Sequence, residues 1–275
     1  MTKRYVVVDQ NVLRKLLLEK EIKTQPNTHF VLPDLAFLEM TKGAKWESTL
    51  RGSLQLLADV SNRVHVAYSV NVALDRELAS LQPVTGHMLH HEATKSVRDL
   101  LNSVRSGTDG KTMNLIRTDP DNHLADLSAD HLDHVGNKKR LGEMIETTKS
   151  FIPEEQQKRM RATKVSEYEK LQMVHDISVG LIPQILAERG VTTGRARMFM
   201  KRRPMLLRYF FVKIWYYLRW IEKGGFDCVQ EKKVTNDEID QQYVLTASFF
   251  HGLLSEEGRV KDSYEGLCNL LKRKI

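Results

Sequence analysis

Residues 4–13 read RYVVVDQNVL. Tyr5 to Val8 form a run of aromatic and β-branched residues too short for a helix and too continuous for a half-exposed strand. They predict a strand buried on both faces. Asp9 stands at its carboxyl end, and from Asn11 onward Val12, Leu13, Leu16, Leu17 and Ile22 recur at helical spacing. The order is strand, acid, helix.

The same order returns downstream. His29 to Leu32 predicts a second strand, closed by Pro33, and Asp34 to Met40 a helix with Glu39 one to two turns inside it. Leu50, Leu54, Leu57 and Val60 give residues 46–61 an apolar helical face, Arg63 to Ala67 predicts a third strand, and residues 70–81 another helix. Strands alternating with helices imply an α/β fold with a mostly parallel sheet.

The alternation stops at residue 82. Residues 82–203 show helical patterns and turns, at Ser106 to Gly110 and at Asp119 to Asn122 around Pro120, with Pro153 opening a helix whose first residues are Glu154 and Glu155. It resumes near the end, where Asn236 and Asp237 start a helix through Tyr243 and Ala247, Gly252 stops it, and Leu253 to Ser255 form a short strand. The expected organisation is an α/β domain in two parts, 1–81 and 204–275, interrupted by a mainly helical insert, 82–203.

A net charge of +7 favours acidic partners, nucleic acid among them. The two cysteines, Cys228 and Cys268, form no CxxC pair, which argues against a zinc or redox framework and for a reduced, cytoplasmic setting. MTKRYVVVDQNVL has too short an apolar run for a signal peptide. Residues 204–221, PMLLRYFFVKIWYYLRWI, are interrupted by Arg208, Lys213 and Arg219. Each such charge costs roughly 2.5–3.5 kcal/mol at a bilayer centre, so a buried helix is expected and no membrane span.

Ligands of open α/β sheets gather at the carboxyl ends of the strands, and the acids fall in those places. Asp9 ends the first strand, Glu39 lies in the helix after the second, Asp237 and Asp240 share a helical face, and Glu257 follows the last strand. Each has an ordinary reading as a cap, a dipole partner or a surface acid. Gathered in one crevice they repel unless a cation neutralises them, which suits a hard metal, Mg²⁺ or Mn²⁺, and points to phosphodiester hydrolysis.

Three stretches resemble the PIN-domain family of metal-dependent nucleases. VVVDQNVL is similar to its opening strand and Asp-x-Asn motif, which makes Asp9 the first metal acid and Asn11 a supporting residue. LPDLAFLEM resembles its second motif, with Glu39 as the helical acid. NDEIDQQYVLTASFFHGLLSEEGRV resembles its carboxyl half, where Asp240 matches the third acid, Ser255 the hydroxyl residue and Glu257 the fourth acid. Asp237, one turn before Asp240, joins the site or substitutes in that register. Glu257 stands where the family has an aspartate, and the likeness covers less than half of the chain. It implies a three-layer PIN-like domain and an enzyme of a class that is mostly ribonucleases, many of them in toxin or defence systems. RNA is therefore favoured over DNA as substrate.

Residues 195–203, RARMFMKRR, place Arg195, Arg197, Lys201, Arg202 and Arg203 around Phe199, a pattern that meets phosphates and stacks a base. Lys158, Arg159, Arg161 and Lys164 form a weaker second patch. The insert is read as an RNA grip, a cover for the acidic site, or a docking surface for a regulatory protein or a second copy. His87, His90 and His91, and again His123, His131 and His134 beside Asp126, Asp130 and Asp133, lack the cysteines or HExxH spacing of a zinc site. Two rival functions stand beside the nuclease. One is a non-catalytic PIN-like module that binds RNA or protein, and the other a phosphatase with Asp9 as nucleophile, which Asn11 disfavours.

Overall fold

The computed structural model describes residues 2–41, 43–84, 88–118 and 134–273, and is mostly helical with a small parallel sheet. The described residues fall into two compact units. One gathers 2–73, 88–118 and 242–261, the other 74–84, 134–241 and 262–273.

The first unit holds the sheet. Strands β1 (Arg4–Val8), β2 (Thr28–Leu32), β3 (Val64–Val66) and β4 (Leu253–Leu254) lie in the order β3-β2-β1-β4, all parallel. Val6, Val7 and Val8 are wholly buried, as a strand covered on both faces requires. Helices α1 (Leu16–Thr24), α2 (Asp34–Thr41), α3 (Trp46–Ala58) and α4 (Val70–Ser80) follow the first three strands in turn. After Asp9 the expected continuous helix is broken. Gln10–Val12 form one 3-10 turn, and α1 begins only at Leu16.

Residues 88–118 belong with the sheet, where an insert beginning at 82 was expected. Helix α5 (His91–Ser106) takes the backbone groups of β3, the edge strand. The Thr94 hydroxyl accepts the Val66 N–H at 3.0 Å, and Arg98 donates to the Val64 and Asn62 carbonyls. Covering an edge this way blocks further strand pairing. Gly107, at φ 70°, ends α5 in the left-handed conformation, and α6 (Lys111–Thr118) follows. Arg51 of α3 and Arg117 of α6 then share Glu47 and Asp109.

In the second unit, α7 (His134–Lys149), α8 (Glu154–Arg161), α9 (Glu167–Glu188), α10 (Thr193–Lys201) and α11 (Met205–Glu222) follow in sequence. α11 is the 204–221 segment. It packs on α9 inside this unit, and its buried residues ring the helix. The interrupting charges have destinations. Lys213 is buried in an ion pair with Glu238, and Arg219 lies over the Trp215 ring at 4.6 Å with Asp262 3.6 Å away. The buried Glu77 carboxylate accepts the first helical N–H groups, those of Met205 and Leu206, at 2.7 and 3.0 Å. Among the described residues no helix is long and apolar enough to cross a membrane.

α12 (Glu231–Ala247) starts five residues before the expected Asn236, and ends at Ala247 without help from Gly252. Gly252 instead lies against β1, its carbonyl accepting the Val7 N–H at 2.9 Å. α13 (Gly258–Leu271) follows β4.

Across the amino ends of the strands runs a row of rings. His65 of β3 meets His29 of β2 with a nitrogen-to-nitrogen distance of 2.8 Å, and the Tyr5 ring of β1 lies 5.1 Å from His29. His251, just before β4, accepts the Tyr5 N–H at 3.0 Å. Burial first, and then the charges of nearby cations, push the imidazole pKa of His29 down and that of His65 down to about 4. The unfolded chain takes up its proton near 6.5 while folded His65 does not, so this contribution is complete above about pH 6.5 and is lost as pH falls towards 4. Thermal melts over that range are expected to show a smaller loss in His65→Phe than in wild type. Equal losses would contradict a neutral, half-buried His65.

Candidate functional site

β1 ends by turning its last carboxylate into a network. Asp9 donates its N–H to the Leu254 carbonyl at 2.9 Å and caps the following 3-10 turn, its Oδ1 accepting the Asn11 N–H at 3.3 Å. Oδ2 accepts the Ser255 hydroxyl at 2.6 Å, and the Ser255 Oγ accepts the Glu257 N–H at 3.1 Å. The Asn11 amide closes the ring, donating to Glu257 Oε1 at 3.3 Å while its oxygen accepts the Glu256 N–H at 3.5 Å. Asp9, Asn11, Ser255 and Glu257 thus stand together. The ordinary reading of Asp9 as a cap holds, and the same carboxylate is the centre of this network.

Asp9 is only 5% exposed. Burial raises its pKa, the Glu257 charge adds to the rise, and the Ser255 and Asn11 hydrogen bonds oppose it. The cations beside this turn pair with other acids, Lys15 with Glu256 and Arg259 with Glu257. A buried carboxylate in this state attracts a proton or a metal.

Glu39 of α2 is half-buried and accepts the Tyr243 phenol at 2.7 Å. Tyr243, on α12, is itself buried. Its phenol is pushed well above the ordinary value by burial and by the charges of Glu39 and Asp9, so it stays a donor. The sequence reading named Tyr243 only as a residue of this helix. The available signal was its hydroxyl, because a buried tyrosine usually finds a partner.

Asp237 and Asp240 sit on α12, about two turns and one turn before Tyr243 respectively. The Asp237 carboxylate is 2% exposed and accepts the Trp220 indole N–H at 2.8 Å, with the Lys233 ammonium 3.7 Å away. Because α12 begins at Glu231, Asp237 is an interior helical residue that anchors a tryptophan. Asp240 is half-buried. Glu257 is exposed, with Arg259 3.8 Å from its carboxylate.

The donors around Asp9 are carboxylate, hydroxyl and amide oxygens, the chemistry of a hard divalent cation. The uncompensated Asp9 charge fits such an ion. Among the described residues no three His, Cys, Asp or Glu side chains are grouped closely enough to hold one together.

Arg195, Arg197, Lys201, Arg202 and Arg203 are all exposed on and after α10. Phe199 is not available to a base, being 4% exposed on the face that packs inward. Met198, 57% exposed, is the apolar side chain among these cations. The second patch is partly neutralised, Lys158 by Glu154 and Arg159 by Glu169. His90 caps α5 by accepting the Ala93 N–H and stacks on Tyr68 at 4.3 Å. His87, His123, His131, Asp126, Asp130, Asp133, the side chain of His134 and the turn at Pro120 lie outside the described residues.

Comparison with protein-family models, with curated proteins and with solved structures returns no match. The assignment of chemistry therefore rests on the residues themselves.

Asp9→Asn keeps the acceptor for Ser255 and removes a buried charge. Since the raised pKa means that folding favours protonated Asp9, the cost of its charge is fully present above that pKa and vanishes as pH falls through it. In EDTA at neutral pH, Asp9→Asn is expected to melt higher than wild type, and the gap to close in acid. A variant that melts lower would mean that the Asp9 charge is satisfied within the fold. Tyr243→Phe is expected to lose about 1.5–3 kcal/mol in denaturant titrations, the range for a hydrogen bond to a charged group.

Proposed function

We propose that this chain is a Mg²⁺- or Mn²⁺-dependent, PIN-like nuclease that hydrolyses phosphodiesters in nucleic acid, RNA in preference to DNA. The observation that carries the proposal is the buried Asp9 carboxylate at the carboxyl end of β1, without a cationic partner among the described residues and held in orientation by Ser255 and Asn11.

Asp9 and Glu39 would hold the cation, with Glu257 reaching it from the exposed side of the Asn11 amide. When bound, the cation supplies charge neutralisation at the phosphate and acidifies an attacking water. Ser255 and Asn11 set the direction of the Asp9 lone pairs, and Tyr243 does the same for Glu39. A phenol that keeps its proton fixes one Glu39 oxygen as its acceptor. Asp240, the third acid of the resemblance, belongs to the other unit and is given no part in this set, and Asp237 accepts the Trp220 indole N–H. The exposed arginines and lysines of residues 195–203 supply affinity for the phosphate backbone.

The test is cleavage of total RNA and of single-stranded DNA with either metal, with the product ends mapped. Wild type is expected to cut RNA and leave 5′-phosphates. Asp9→Asn should be inactive, Asp237→Asn active, and Ser255→Ala about 10- to 100-fold weaker in metal affinity or rate. If purified protein cuts neither polymer and calorimetry detects no Mn²⁺ binding, the nuclease reading fails and a non-catalytic nucleic-acid-binding module takes its place.

A further inference from the structure

The ring row at the amino end of the sheet has no part in the proposed hydrolysis, because Asp9 lies at the opposite end of the same strand. The row crosses every strand. From His65 the rings pass to His29 at 5.1 Å, to Tyr5 at 5.1 Å and to His251 at 6.3 Å. Tyr5, His29 and His65 are half-exposed and His251 is exposed. Neighbouring strands are about 4.8 Å apart, so the row spans roughly 14 Å, the width over which sheet aromatics stack about two or three bases.

Three cations flank the rings, and the nearby Glu21 is paired with Arg4. Lys3 is exposed and enters no ion pair among the described residues. Arg63 donates to the carbonyls of Ile22, Gln25 and Pro26, and Arg98 to those of Asn62 and Val64. Carbonyls orient a guanidinium and leave its charge uncancelled. Burial is the first cause that disfavours protonation of His29, and the charges of all three cations act in the same direction. Neutral aromatic faces beside cations suit a polyanion with exposed π-faces, and only unpaired nucleotides present both.

We propose that Tyr5, His29 and His65, flanked by Lys3, Arg63 and Arg98, form a binding surface for single-stranded nucleic acid, with bases stacked on the rings and phosphates held by the cations. This surface is independent of the acidic site and of the basic residues 195–203.

The experiment is equilibrium binding of a fluorescent oligouridine to the full chain in EDTA, as a function of salt. His29→Ala is expected to weaken binding on the order of tenfold, the loss of one stacking partner. Lys3→Glu, at an exposed position, is expected to weaken it while lowering the slope of log affinity against log salt by about one or more. Imidazole proton signals of His29 and His65 should shift on titration with the oligonucleotide. The proposal is overturned if no binding is measured at low salt, or if Arg197→Glu weakens binding while Lys3→Glu and His29→Ala leave it unchanged and the imidazole signals stay still. Binding that persists in protein unable to cleave in Mn²⁺ would support this surface and refute the nuclease reading, so the two fail separately.

Discussion

The hydrogen bond from Ser255 to the buried Asp9 carboxylate joins residues 246 positions apart, and much of the sheet unit depends on it. β4 is two residues long, too short to hold its place by ladder bonds alone. It is fixed by the Val7 N–H on Gly252, the Asp9 N–H on Leu254, and the Ser255 hydroxyl on the Asp9 side chain. The last of these acts on a charge that burial makes costly. Asp9 therefore meets two opposed demands: its hydrogen bonds seat β4, and its buried charge is the feature on which the proposed metal site rests.

α12 shows how one helix separates roles that a sequence motif merges. Asp237 and Tyr243 are six residues apart on it. Asp237 uses its carboxylate to hold the Trp220 indole, an arrangement that needs an acceptor at a buried position and no metal. Tyr243 directs a phenol at Glu39, a residue 204 positions earlier. In both cases a buried polar atom meets a partner because leaving it unmade would cost about 1–3 kcal/mol or more.

The sheet was legible to the residue or nearly so. Tyr5 to Val8, His29 to Leu32 and Leu253 to Ser255 were expected as strands and lie within one residue of the observed bounds. Short apolar runs bounded by an acid, a proline or a glycine leave little choice of structure. Of the acidic site, the grouping of Asp9, Asn11, Ser255 and Glu257 around one strand end was expected, while Tyr243 was missed and Asp237 has a packing role that its spacing did not disclose. Phe199 illustrates the same limit. Its neighbours in sequence are basic, yet helical phase turns it inward and leaves Met198 outside.

From sequence alone came the strand-acid-helix order, the parallel arrangement, and the absence of an apolar run clean enough for a membrane. These follow from local steric preference and from periodicity within a single element. Only the tertiary structure decided that residues 88–118 close the β3 edge, that α11 packs on α9, that Tyr243 meets Glu39, and that four rings align across the strands. The reason is physical. Periodicity tells which face of an element leaves water, but which buried face meets which is set by the shapes and polar atoms of residues far apart in the chain.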